Sequence, residues 1–325
     1  MNDVAWYLDS FLAPLAPVLA RRDVTDIFVN RPSEIWIESS GGRIERMSVP
    51  ALTEKHLARL ARQLAAATAQ GISRAEPLLA ARLPDGSRVQ VIAPPATRSG
   101  HAIAIRRHVA GSMSLTDWSS AGAFADLADG RTGVADTTHF VSVASDDADE
   151  ILREAVAQRR NILVSGGTST GKTTFLNALL AEIPREERLV LIEDTEELRL
   201  VHENAIGLLA ARSALAEANI AAEDLLIAAL RMRPDRIILG ELRGREAFTF
   251  LRAVNTGHPG SMTTIHADSP RGAIDQLALL VLQAGARLEW EAVRRYIETS
   301  VDVFVQLERR EGRRLVSRIL VKSLR

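Results

Sequence analysis

The rhythm of apolar positions changes near the middle of the chain. In the first hundred residues, "DIFVN" (26–30) and "EIWIES" (34–39) alternate apolar and polar side chains, the period of half-buried strands. Arg31-Pro32-Ser33 between them predicts a hairpin. Thr53 is placed to cap a helix whose Leu57, Leu60, Ala61, Leu64 and Thr68 share one face, with Gly71 as its stop. In "RLPDGSRVQVIAPPA", Pro84-Asp85-Gly86 separates two short apolar stretches as a turn. "HAIAIRRH" then reads as another strand, ending in Arg106 and Arg107. These elements predict an α+β domain over residues 1–110.

From 111 to 149 the periodicity fades into Gly, Ser, Thr and Asp over a length unusual for a loop, which predicts an interdomain linker. Asp146, Asp147, Asp149 and Glu150 precede "ILREAVAQRR", which closes on Arg159 and Arg160, a charge order that suits a helix macrodipole. Beyond it, "NILVSG", "RLVLIED", "RIILGEL" and "GSMTTIH" are nearly continuous apolar runs, with helical patterns such as "AAEDLLIAALRM" between them. Such runs belong to a parallel sheet covered on both faces. "VDVFVQLERREGRRLVSRILVKSL" predicts a hairpin turning at Glu311-Gly312. The expected fold class is α/β over 150–325, with the smaller α+β domain before it.

Composition narrows the chemistry. Forty basic against 41 acidic residues give a net charge of −1, so there is no strong nucleic-acid signal. With no cysteine, disulfides, thiolate metal sites and cysteine nucleophiles are excluded. No apolar run approaches the length of a transmembrane segment. The N-terminal stretch carries Asp3 and Asp9 without a basic leader and reads as an amphipathic helix rather than a targeting peptide.

One stretch carries specific chemistry. Gly166-Gly167-Thr168-Ser169-Thr170-Gly171-Lys172-Thr173 fits G-x-x-x-x-G-K-[ST] between a strand and a helix, with Thr174 next in line. Glycines let consecutive amides converge on phosphate oxygens, and the helix points its positive end at the same place. Lys172 would supply a cation for the β- and γ-phosphates of ATP, and Thr173 a hydroxyl for Mg²⁺. Hydrolysis needs a carboxylate near the metal and the attacking water. Glu241 ends one predicted strand, and Glu193 with Asp194 ends another, whereas Asp235 comes too early in its strand to reach that edge. His258 and His266 bracket a strand-like stretch without further ligands at metal spacing, which suits a γ-phosphate sensor better than a metal site.

Taken together, "GGTSTGKTT", "LIEDTEEL", "RIILGELRGREA" and "GHPGSMTTIHA" resemble, in order, the Walker A, Asp, Walker B and His boxes of the secretion-superfamily ATPases. Those enzymes drive type II secretion, type IV pili and type IV secretion. "DVTDIFVNRPSEIWIE" and "LPDGSRVQVIAPPA" look most like the type IV secretion and conjugation branch, and the resemblance runs from about Asp23 to Val321. It implies a PAS-like N-terminal domain, a RecA-like C-terminal domain, and MgATP hydrolysis by a hexameric ring. It also implies a cytoplasmic location, peripheral to the inner membrane, beside inner-membrane secretion components. Lys172 and Thr173 would hold phosphates and Mg²⁺. Glu241, after Gly240, would be the Walker B acid on the metal side, and Glu193 would polarise water. His266 and His258 would sense the γ-phosphate, and Arg243 matches the arginine after Walker B. Arg106 and Arg107 match basic residues that reach nucleotide phosphates, without deciding which does so. The missing cysteines depart from the zinc insert frequent in the type II branch. The linker "SSAGAFADLADGRTGVADTTHF" has no counterpart in that pattern. A type II or pilus extension/retraction ATPase, or a weakly hydrolysing assembly scaffold, are the alternative readings.

Overall fold

A computed structural model describes residues 3–39, 42–68, 70–107, 113–127, 140–210 and 220–323. They fall into two compact units, one up to Arg107 and one from Met113 onward.

In the first unit, six strands are described: β1 (Val24–Val29), β2 (Glu34–Ser39), β3 (Ile44–Ser48), β4 (Leu78–Arg82), β5 (Arg88–Ile92) and β6 (Ala102–Arg106). They pair antiparallel in the order β3-β2-β1-β6-β5-β4. Alternation puts Ile27, Val29, Ile35, Ile37, Val89, Val91, Ile103 and Ile105 into one buried cluster with Leu57, Leu60, Ala61 and Leu64 of the helix Glu54–Ala67. The Thr53 hydroxyl caps that helix by accepting the His56 N–H at 3.2 Å. The helix stops at Ala67, before Gly71, and Thr68 folds its hydroxyl back onto the Leu64 carbonyl instead of joining the apolar stripe. In the Pro84–Gly86 turn, the Asp85 carboxylate accepts the Ser87 amide at 2.9 Å.

In the second unit, eight strands are described: β7 (Phe140–Ser142), β8 (Ile162–Gly166), β9 (Leu189–Glu193), β10 (Ala205–Leu209), β11 (Arg236–Leu239), β12 (Met262–Ile265), β13 (Val303–Arg310) and β14 (Arg313–Lys322). The order is β10-β9-β11-β12-β8-β13-β14-β7. From β10 to β13 every pairing is parallel, and β14 and β7 add antiparallel partners at one side. Ile162 and Val164 point into one buried cluster, and Leu163 between them into another. Apolar side chains therefore cover both faces of the sheet, which explains the continuous runs in the sequence.

The stretch expected as a linker departs from that expectation. Its described residues, from Met113 to Leu127 and from Phe140 on, belong to the second unit. The helix Leu115–Ser120 buries Leu115 and Trp118, and Ala123, Phe124 and Leu127 follow them into the cluster that holds Phe175. A helix of six residues is too short to show a 3.6-residue period, so these apolar residues read as scattered. The terminal hairpin turns at Glu311 and Gly312, both with positive φ, as the sequence predicts.

Candidate active site

The glycine-rich loop leaves the end of β8 and enters the helix Lys172–Ala181. Its shape is fixed by positions that tolerate no side chain. A Cβ on Gly166 would lie 2.5 Å from Thr170 Oγ1 and 3.0 Å from the Leu307 carbonyl. Gly171, the helix N-cap, has φ +96°, where L-residues are strained. Thr170 closes the loop by donating its hydroxyl to the Gly167 carbonyl at 2.9 Å. The first helical amides thus converge at the sheet edge, with the positive end of the helix behind them.

Lys172 is buried, and its ammonium donates to the Gly166 and Gly167 carbonyls at 2.9 and 3.1 Å. It also lies 3.8 Å from Glu241 Oε1 and 3.3 Å from His266 Nε2. Glu241 follows β11 on Gly240, where strand ends fix the backbone. The Gly240 amide donates to the Ile192 carbonyl at 2.8 Å, and the Thr264 hydroxyl to the Gly240 carbonyl at 2.8 Å. A Cβ on Gly240 would sit 3.5 Å from the Glu193 Cβ, so β11 and β9 meet here across a glycine. His266, just past β12, places Nε2 3.0 Å from Glu241 Oε1. Partial burial and the adjacent Lys172 ammonium, with Arg243 beyond, hold the His266 pKa below its ordinary value against the pull of Glu241. The imidazole is therefore neutral near pH 7, able to donate from one nitrogen and accept at the other.

Arg243 Nε binds Glu241 Oε2, and Arg243 Nη1 reaches Asp194 Oδ2 at 3.0 Å. Burial disfavours the charged guanidinium, but the two carboxylates outweigh it and raise its pKa. The Arg243 and Gly244 amides both donate to the buried Glu246 carboxylate at 2.7 Å, which orders this loop.

The structure therefore brings together Lys172, Glu241, Arg243 and His266 beside the loop Gly166–Thr173. Thr173 and Thr174 are half-buried in the first helical turn, and Gly167 and Thr168 are exposed. Ser169 adopts φ +61° at the loop's outer bend. Glu193 is differently employed: its Oε2 accepts the Glu197 and Leu198 amides, each at 2.8 Å, and so braces the following turn. Asp194, which the sequence offered beside the preferred Glu193, is the residue that joins the charged cluster through Arg243.

His258 is a correction. It lies four residues before β12, on the edge of the sheet opposite to His266, and its Nδ1 sits 3.3 Å from the Pro234 carbonyl. Strand direction decides this: the four residues of β12 carry the chain about 13 Å from one edge to the other. His258 therefore cannot sense a phosphate in the glycine-rich loop. Asp235 holds the same far edge, accepting the Arg188 amide at 2.7 Å. In the first unit, Arg106 pairs with Asp26 at 3.2 Å and Arg107 donates to the Arg21 carbonyl.

Among the described residues, no three His, Cys, Asp or Glu side chains converge as a metal cage. The Thr173 hydroxyl and the Glu241 carboxylate are hard oxygen donors, the type that Mg²⁺ takes when phosphates supply its other ligands.

Comparison with known proteins places the chain in a family. A family model described as type II/IV secretion system protein matches residues 10–316. VirB11 of Bartonella henselae, a type IV secretion system protein, is 35% identical over 324 residues, covering 95% of this chain and 91% of its own. PtlH of Bordetella pertussis, another type IV secretion system protein, is 39% identical over 332 residues, covering 96% and 94%. The crystal structure of the VirB11 ATPase from the Brucella suis type IV secretion system, in complex with sulphate, is 34% identical. It covers 98% of this chain and 95% of its own, with a TM-score of 0.50. The pilus retraction motor PilT with bound ADP shares the fold at 21% identity and a TM-score of 0.61, covering 97% and 83%. The chain belongs to the type II/IV secretion system protein family, on the side of its type IV secretion ATPases.

Proposed function

We propose that this chain hydrolyses MgATP to ADP and phosphate and powers export or pilus assembly in a type IV secretion or conjugation system. The observation that carries the reading is the seat of Lys172. Its ammonium bonds to the carbonyls of its own loop, within reach of a carboxylate and a neutral imidazole. A triphosphate would exchange those neutral acceptors for charged oxygens, which make stronger hydrogen bonds.

In this reading the amides of Gly167 to Thr174 and the Lys172 ammonium hold the β- and γ-phosphates. The Thr173 hydroxyl and Glu241 would hold Mg²⁺, which when bound neutralises charge on the phosphate oxygens. Glu241 orients the attacking water, and His266 reads the γ-phosphate through its neutral ring. Arg243 pairs with Glu241 and aligns its carboxylate, and Glu193 supports the turn that carries Asp194. A nucleotide role for Arg106 or Arg107 rests on the resemblance alone. So do the PAS-like and RecA-like descriptions of the units, the hexameric ring and a place at the inner membrane. No described helix is long and apolar enough to cross a membrane.

Phosphate release tests the assignment. The parent should turn over, and Glu241→Gln should bind nucleotide with turnover lower by about 10²-fold or more. Turnover near the parent rate in that variant would move the water-orienting role to Glu193.

A further inference from the structure

The glycine before Lys172 is walled in by two residues that no motif includes. A Cβ on Gly171 would lie 3.0 Å from Arg314 Cδ, 3.5 Å from Arg314 Nε and 3.4 Å from Trp118 Cη2. Trp118 is fully buried and meets Phe175, one turn further along the same helix, edge to face with 5.1 Å between ring centres. The indole therefore stands beside the cap of the helix and packs on its first turn.

Both walls are anchored. The Ser114 hydroxyl and the Asp117 carboxylate cap each other's backbone at the start of the helix that carries Trp118. After that helix, the Ala123 carbonyl accepts the Val316 amide at 2.8 Å, tying the segment to β14. Arg314 stands on β14 just past the hairpin turn. The last pair between β13 and β8 is Leu307 with Gly166, so the hairpin continues beyond the glycine-rich loop and brings Arg314 alongside it. The Arg314 side chain is exposed overall, with its methylene stem against Gly171.

A glycine has more backbone freedom than any other residue, and here it sits at the joint that aims the loop amides and the Lys172 ammonium. Walls this close on both sides leave the glycine little room to move, and a loop held in place before ligand arrives binds more tightly by preorganisation rather than by a new bond. We propose that Trp118 and the stem of Arg314 are positioning residues for the phosphate loop. They hold Gly171 in its left-handed conformation so that the anion site stands preformed. The proposal rests on the nucleotide reading of that loop.

The test is the affinity of the full chain for ADP with Mg²⁺, measured alongside the melting temperature without nucleotide. Arg314→Ala should weaken binding about tenfold, with the protein still folded and melting cooperatively. Arg314→Met, which keeps the stem and removes the charge, should restore binding to within about threefold of the parent. Trp118→Phe keeps an aromatic ring against Phe175 but draws it back from Gly171, and should weaken ADP binding in the same direction. Parental affinity in Arg314→Ala would overturn the proposal. Binding by Arg314→Met as weak as that of Arg314→Ala would overturn it too, because the charge and not the stem would then be acting. Unchanged affinity in Trp118→Phe would remove the indole from the account. A parent that fails to bind ADP would sink the nucleotide reading and this proposal together, which separates the two failures.

Discussion

At the scale of single residues, charges are buried only where a partner stands ready. Lys172 is buried beside Glu241, and Arg236 is fully buried with its guanidinium clamped on the Glu187 carboxylate at 2.7 and 2.8 Å. Arg236 also donates to the Val156 carbonyl at 2.8 Å. This second cluster lies at the edge of the sheet away from the glycine-rich loop, and its work is structural. The Arg236 hydrogen bond, against the penalty of burial, holds the Glu187 carboxyl below the usual glutamate range. A depressed carboxylate pKa contributes stability that is present above the unfolded pKa, about 4.3, and is lost as pH falls through the folded value. Thermal unfolding between pH 7 and pH 3 should therefore show a loss that begins near pH 4. In Glu187→Gln that part of the pH dependence should vanish. The variant should also be less stable by about 3–5 kcal/mol at pH 7, since Arg236 is left buried without its counter-charge. An unchanged acid limb in Glu187→Gln would place the sensitivity elsewhere.

At the scale of elements, what the sequence made legible was whatever repeats or carries a fixed spacing. The glycine-rich loop, the strand ends that hold Glu241 and Glu193, and the Glu311-Gly312 turn all follow from local pattern. Two things did not. His258 and His266 look equivalent in a string, because only the direction of β12 in a parallel sheet sends one to each edge. Trp118 and Phe124 looked like linker residues, because six residues of helix show no period. Their partner Phe175 lies more than fifty positions away in the chain. Arg314 was silent for a related reason: its role depends on how far a hairpin overhangs its neighbour. His258→Ala should bind ADP with parental affinity, and His266→Ala should lower turnover with the triphosphate. Equal effects of the two changes on turnover would contradict the edge assignment.

At the scale of the whole molecule, two compact units are present, and the described residues from Met113 to Asp149, which the sequence reads as linker, belong to the second of them. The family match extends through both units, since residues 10–316 are included. A ring is a property of several copies, which one chain cannot display. If six subunits of 35.4 kDa assemble, light scattering with MgATP should give about six times that mass. A monomer mass at every concentration and nucleotide condition would rule the ring out. Nucleotide phosphates bind this chain only if the converging amides and one buried ammonium form an anion site. Calorimetric titration of the folded chain with ADP and Mg²⁺ measures this directly. It should show saturable heat that disappears in Lys172→Ala, whereas a flat titration of the parent, or equal binding by the two proteins, would contradict the account.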